Sequence, residues 1–335
     1  MTGEPLLSVS DLKVRFRIGG FMAALAGQPT EIEAVAGVSF TLERGRTFAL
    51  VGESGSGKTT LARAVNGLQK SAAGSVRFEG RELRDLPKAE WKALRRRMSM
   101  MFQDPVGSLS PRLSVRSLFA EPFAIHRLSG RDVNAEVMRL LALVGLPRDF
   151  ADRYPHQLSG GQARRVGVAR AVALDPVLII ADEPTAGLDV SVQGEVLNLL
   201  NDLRDRMGLS MLIITHNLHV VRQIADRMAV MYLGRFVEEG ETEAIFTAPH
   251  HPYTAALLSA NPEPDPDKVH DRIALPAEVP SLLERPSGCE FHTRCPFVRD
   301  ICALDAPMSS VVGASRLTCH FPLNAQSAAE AHTAI

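Results

Sequence analysis

The segment Gly52-Glu53-Ser54-Gly55-Ser56-Gly57-Lys58-Thr59 follows the pattern glycine, four residues, glycine-lysine-threonine, and it constrains the fold more than any other stretch of the chain. It lies between the apolar run Phe48–Val51 and the helix-compatible Thr60–Asn66, so a buried strand delivers a glycine-rich turn to a helix start. Such a turn points successive backbone N–H groups at phosphate oxygens, and the positive end of the helix faces the same anion. In that arrangement Lys58 reaches β- and γ-phosphates and the Thr59 hydroxyl ligates Mg²⁺. The expected phosphate contacts are Gly52, Ser54, Gly55, Ser56, Gly57, Lys58, Thr59 and Thr60.

Composition narrows what can surround this turn. With 335 residues, 45% of them hydrophobic, the chain has enough apolar material for one large domain and a small one. A net charge of −1 provides no field to gather nucleic acid or anionic lipid. No apolar run approaches the roughly 18 residues of a membrane-spanning helix, so any membrane role passes through a partner. The chain reads as cytoplasmic. All four cysteines fall after residue 288, and in a reducing compartment such clustering points to a metal site rather than disulfides.

Periodicity predicts a strand over Leu6–Phe16, a loop or short helix over Gly19–Thr30, and a strand pair around Glu33–Leu42. Gly74–Phe78 and Arg81–Leu83 resemble a hairpin, Glu90–Arg97 a helix, and Met98–Phe102 an apolar strand leading into Gln103. Residues 106–157 carry helical spacing broken by prolines, clearest where Val137, Leu140, Leu141 and Val144 share one face. Apolar strands then return at Val177–Ala181, Met211–Ile214 and Met228–Met231. Between them lie a long helix, with Val192, Val196, Leu199, Leu200, Leu203 and Met207 on its apolar face and Gly208 at its end, and a shorter one over Leu218–Ile224. Strands alternating with helices imply a mainly parallel sheet covered on both faces. A proline-rich linker begins near Asn261, and the stretch beyond Leu323 has the composition of a disordered tail. The expected division is therefore 1–259, 260–322 and 323–335.

Two further segments carry chemistry. The strand ending in Asp182-Glu183 sets two carboxylates at a strand C-terminal edge, where phosphate ligands bind in such sheets. Asp182 suits Mg²⁺, and Glu183 suits accepting a proton from attacking water. Leu158-Ser159-Gly160-Gly161-Gln162 opens a second helix with two glycines and a serine, giving either a second phosphate cradle or an N-cap at Ser159. Cys289, Cys295, Cys302 and Cys319 have five, six and sixteen residues between them and no Cys-x-x-Cys knuckle, a spacing that suits an iron–sulfur cluster as well as zinc.

Together these motifs resemble the ATP-binding subunits of ABC transporters, over residues 6 to about 322. The resemblance implies an α/β fold: a P-loop NTPase core with a helical subdomain at about 106–157, an antiparallel β subdomain and a small C-terminal cysteine-containing extension. It aligns Gly52–Thr59 with Walker A, Val177–Asp182 with Walker B, and Leu158–Gln162 with the signature. Glu183 then corresponds to the catalytic base, Gln103 to the Q-loop glutamine that senses Mg²⁺, Ala186–Asp189 to the D-loop, and His216 to the switch histidine. Asn217 replaces the acid usual after that histidine, and Arg164 stands where many relatives have Gln, with no function attached to the change. Phe16 is the candidate for stacking on adenine, with Phe21 as its rival.

In the family, the P-loop of one subunit and Ser159, Gly160, Gly161 and Gln162 of another close on one ATP. The resemblance thus implies a second ATPase subunit, two permease subunits, a substrate-binding protein and a place on the cytoplasmic membrane face. Pro286–Pro296 is similar to the C-terminal extension of oligopeptide and dipeptide transporter ATPases, which implies peptide import and a 4Fe–4S cluster on Cys289, Cys295, Cys302 and Cys319, with zinc as the alternative. The packing or capping of a helix is the expected work of His250 and His251, which precede the extension. The competing readings are a soluble ABC ATPase without a permease and an ATPase gated by the redox state of the cysteines.

Overall fold

A computed structural model of the chain describes residues 4–18, 31–102, 107–128, 130–260, 272–276 and 278–324. The chain divides into two compact units that each draw on distant parts of the sequence. One comprises the residues up to Leu7, Thr41–Thr47 and Arg77–Ile214; the other comprises Ser8–Phe40, Phe48–Val76 and the chain from Thr215 onward.

The first unit is built on parallel strands. Met98–Met101 pairs with Leu178–Asp182, and Leu178–Asp182 pairs with Ser210–Thr215, so that Met98 faces Leu178 and Leu178 faces Ser210. Every residue of Leu178–Asp182 is buried, which is why this strand is a continuous apolar run rather than an alternation. Residues 107–157 add the helices Val115–Ile125 and Val133–Leu143, started by Ser114 and Asp132, whose side chains accept backbone N–H bonds in the first turn. Val137, Leu140, Leu141 and Val144 are fully buried, the face their spacing predicts. The long helix spans Val190–Met207 and ends at Gly208, whose φ of 65° is the left-handed turn favoured by a glycine C-cap. Its buried face is Val196, Leu197, Leu200 and Leu203; Leu197 joins it, whereas the expected Val192, Leu199 and Met207 are only half-buried.

In the second unit the strands run Ser310–Val312, Ser315–Leu317, Arg235–Glu241, Arg227–Tyr232 and Thr47–Val51, with the last pair parallel and the others antiparallel. The C-terminal extension thus joins this unit through main-chain pairing, Glu238 facing Leu317. Ala49, Val51, Val230, Tyr232, Tyr253 and Phe291 belong to one buried cluster, against which Cys289 and Cys295 pack. Leu7–Arg17 lies beside Glu31–Leu42. The expected strand pair around Glu33–Leu42 is instead a single twelve-residue strand. Gly37 lies within it with φ +81°, and a Cβ there would lie 2.7 Å from Asp11 Oδ1, so it marks an irregularity inside one strand rather than a turn between two. Gly19–Thr30, the prolines at 262, 264 and 266, and the tail from residue 325 lie outside the described residues. Leu323 and Asn324 are tied back, Leu323 N–H to His250 O at 2.8 Å and Asn324 Nδ2 to Pro249 O at 3.0 Å.

Candidate nucleotide-binding site

The buried strand Thr47–Val51 delivers the P-loop to the helix Lys58–Val65. The loop has no room for side chains at two points. A Cβ on Gly52 would sit 2.2 Å from Met231 O, and one on Gly57, at φ +103°, would sit 2.2 Å from Ala34 O. Glycine is required there by close backbone approach, whereas Gly55 faces open space. Lys58, 8% exposed, donates from Nζ to Gly52 O at 2.7 Å, Glu53 O at 2.8 Å and Ser56 Oγ at 3.3 Å. Its ammonium is thereby held inside the curl of the loop, the position from which a lysine meets phosphate oxygens. Within the same unit, Phe16 is 37% exposed at the end of its strand while Leu12 and Val14 are fully buried. Phe21 lies outside the described residues.

The carboxylate pair belongs to the other unit. Asp182, 2% exposed, closes its strand, and Glu183 follows with φ +50°, a left-handed backbone that is costly for a side chain of this size. Three sets of bonds hold it there. Glu183 N–H donates to Ile214 O at 2.8 Å, Ala186 N–H donates to Glu183 O at 3.1 Å, and the buried Arg164 guanidinium donates to the carbonyls of Glu183, Pro184 and Ala186. Arg164 comes from the helix Gly160–Val172, so one side chain ties that helix to the turn after the carboxylates. The sequence offers no local sign of this role, because the contact spans about twenty residues and its acceptors are main-chain atoms.

Ser159 caps that same helix. Its Oγ accepts from Gln162 N–H at 3.3 Å and its own N–H donates to Gln162 Oε1 at 3.0 Å, a reciprocal capping box. Both Ser159 and Gly160 are exposed, and they line one concavity with Gly161, Gln162, Gly187, Leu188 and Asp189. Asp189 caps the long helix by accepting from Val192 N–H at 2.9 Å. In the other unit His216 is exposed, and Asn217 after it caps the helix Leu218–Ile224, accepting from His219 N–H at 3.0 Å. Gln103 lies outside the described residues.

The family model described as ABC transporter matches residues 35–186, and that described as oligopeptide/dipeptide transporter, C-terminal region, matches residues 237–302. The oligopeptide transport ATP-binding protein OppF of Escherichia coli strain K12 is 45% identical over 307 residues, covering 90% of this chain and 92% of that protein. The chain belongs to the ATP-binding subunits of ABC transporters. A second relative, the putative oligopeptide transport ATP-binding protein YkfD of Bacillus subtilis strain 168, is 44% identical to this ABC ATPase and covers 96% of it, over 97% of its own length. Among solved structures, the dimeric ATP-binding cassette MJ0796 bound to ADP and Pi matches with a TM-score of 0.62 and 27% identity, over 70% of this chain and 98% of that one. The fold is that of the ABC ATPases, α/β with mixed sheets.

The extension of this ABC ATPase gathers its four cysteines around one small pocket, walled by Phe291, Phe297 and Phe321. Burial pushes the Cys319 thiol up to about 12, with added repulsion from the other three sulfurs, and burial also raises Cys289 and Cys295. The thiols stand as free cysteines. Among the described residues no three His, Cys, Asp or Glu side chains stand at metal-ligating positions, so the sulfurs share a pocket without forming a ligand set. The donor chemistry nevertheless fits a soft metal or cluster: four thiols, aromatic walls and no carboxylate among the pocket's lining residues.

His250 and His251 act as the sequence leads one to expect. His250 Nδ1 meets Leu323 O at 2.8 Å, and His251 Nδ1 accepts from Tyr253 N–H at 3.1 Å, capping the helix Pro252–Ser259. The fully buried Glu238 accepts from both backbone N–H groups, 2.9 Å each.

Proposed function

We propose that this ABC ATPase hydrolyses ATP to power the import of peptides, as one of two ATPase subunits beneath a pair of permeases fed by a substrate-binding protein, at the cytoplasmic face of the membrane. The observation that carries the reading is 44–45% identity, over nine-tenths or more of the chain, to proteins named for oligopeptide transport. The matched oligopeptide/dipeptide C-terminal region favours it over a soluble ABC ATPase. Among the described residues no helix is long and apolar enough to cross a membrane, which leaves the crossing to the permeases.

In this reading Phe16 stacks on adenine, and Gly52–Thr60 cradle the phosphates. Lys58 neutralises β/γ charge. Thr59, Asp182 and Gln103 are the oxygen donors for Mg²⁺, an ion whose charge would steady the same phosphates. Ser159, Gly160, Gly161 and Gln162 reach the ATP of a second subunit; the exposure of Ser159 and Gly160 and the concavity that all four line support that role. Glu183 takes the proton of the attacking water, its carboxylate aimed by a backbone that Arg164 holds in an unfavourable conformation. His216 and Gln103 orient the water and the γ-phosphate. Cys289, Cys295, Cys302 and Cys319 would hold one 4Fe–4S cluster in the extension; their shared pocket supports that reading, although the sulfurs do not stand as a ligand set.

The test is Glu183→Gln in the assembled transporter. ATP binding should persist while turnover falls by about a hundredfold or more, the usual worth of a general base. Cells carrying only this variant should fail to accumulate labelled peptide. Unchanged steady-state ATPase would refute the role of Glu183, and unchanged uptake would refute the transport reading.

A further inference from the structure

A carboxylate on a phosphate-binding loop carries a charge that repels the anion the loop attracts. Glu53 is such a residue, the second of the P-loop. Its carboxylate is gripped by a side chain 241 residues away: Arg294 donates from Nη1 to Glu53 Oε2 at 2.7 Å and from Nη2 to Oε1 at 3.1 Å. The Arg294 side chain is 5% exposed and that of Glu53 29%, so the guanidinium end of this bidentate pair is buried while the carboxylate keeps some contact with solvent. The Tyr253 hydroxyl accepts from Glu53 N–H at 3.1 Å, and Glu53 O accepts from Lys58 Nζ at 2.8 Å. Every polar group of Glu53 is thus engaged, and the same residue holds the lysine that meets phosphate.

Arg294 is itself placed by the cysteine loop. It ends the turn His292–Arg294 directly before Cys295, with its N–H on Phe291 O at 3.0 Å. That turn begins where His292 N–H donates to Cys289 O at 2.8 Å, and Cys289 N–H in turn donates to Cys302 O at 2.8 Å. A continuous run of bonds therefore connects the cysteine pocket to the P-loop within one compact unit.

We propose that Arg294 is a positioning residue of the P-loop: it neutralises Glu53 and turns its carboxylate away from the phosphates, so that the C-terminal extension completes the nucleotide site. The proposal rests on the reading of Gly52–Thr59 as that site. It gives the extension a part in ATP binding, distinct from any part in docking permeases.

The experiment uses the full-length protein and ATP. Arg294→Ala should raise the Kd for ATP about tenfold, because it leaves an unpaired carboxylate beside the phosphates. Adding Glu53→Gln to Arg294→Ala should recover most of that loss, a rescue that general loosening of the extension would not produce. Arg235→Ala removes another tie of the extension, the ion pair with Glu290 at 3.4 Å, and should leave ATP affinity unchanged. Amide exchange over 53–58 in nucleotide-free protein should quicken in Arg294→Ala alone among the single variants of Arg294 and Arg235. An unchanged Kd in Arg294→Ala, no rescue by Glu53→Gln, or an equal loss in Arg235→Ala would overturn the proposal. If the wild-type protein bound no ATP while exchange still responded, the nucleotide reading would fall and the clamp itself would stand.

Discussion

His251 sets a pH limit on the stability of the unit that carries the P-loop. Its ring is fully buried, with Phe291 5.7 Å away between centroids. Nδ1 accepts from Tyr253 N–H, and the ring also hydrogen-bonds the Thr318 backbone. Burial, partly offset by the Thr318 bond, pushes its pKa down to about 3 from an ordinary 6.5. The unfolded chain therefore binds a proton that the folded chain refuses between about pH 6.5 and about pH 3, so stability falls as pH drops through that window. At pH 5 the folded ring is still neutral. The loss relative to pH 8 is then set by the unfolded value, about 1.4 kcal/mol for each of 1.5 pH units, or about 2 kcal/mol. His251→Asn keeps a good N-cap acceptor and removes the titration. Calorimetric melting at pH 8, 7, 6 and 5 should show the wild type losing about 2 kcal/mol more than this variant, a divergence of a few degrees in Tm. Parallel curves for the two proteins would refute the assignment of a neutral, buried cap.

Two further outcomes follow from the loop and the cysteines. Gly57→Ala forces a Cβ to within 2.2 Å of Ala34 O and should destabilise the protein by about 3 kcal/mol or more in denaturant melts, whereas Gly55→Ala meets nothing within 4 Å and should cost only the left-handed backbone, about 1–2 kcal/mol. Equal costs would show that the close approach to Ala34 is not what demands glycine. Anaerobically purified protein should hold about four iron and four acid-labile sulfide per chain, lost in Cys319→Ser. Stoichiometric zinc instead would replace the cluster with the alternative metal.

What was legible in the sequence is what local chemistry imposes. The P-loop announces itself because Gly52 and Gly57 have no steric freedom, and the strand Leu178–Asp182 because burial on both faces leaves only apolar residues before the carboxylates. The helix Leu218–Ile224 carries its own cap in Asn217. The kink at Gly37 was not legible, because a glycine reads alike in sequence whether it turns a chain or bends one strand. Leu197 and Leu199 cannot be told apart by spacing alone, since both border the same apolar stripe and tertiary packing chooses between them.

The site's two arginine anchors were illegible for a deeper reason. Arg164 bonds main-chain carbonyls, which have no sequence identity, and Arg294 finds Glu53 across 241 residues. Both place groups that the motifs already contain. Arg164 holds the turn at Glu183 in a conformation glutamic acid rarely adopts, and Arg294 pairs with the carboxylate on the glycine-rich loop, a charge that the proposed site would otherwise present to phosphate. A motif therefore names the reacting group but not the force that aims it. In this ABC ATPase that force comes from a guanidinium in each unit, one on the signature helix and one in the cysteine loop. The two should separate experimentally: loss of Arg164 should act on turnover through Glu183, and loss of Arg294 on nucleotide affinity through Glu53.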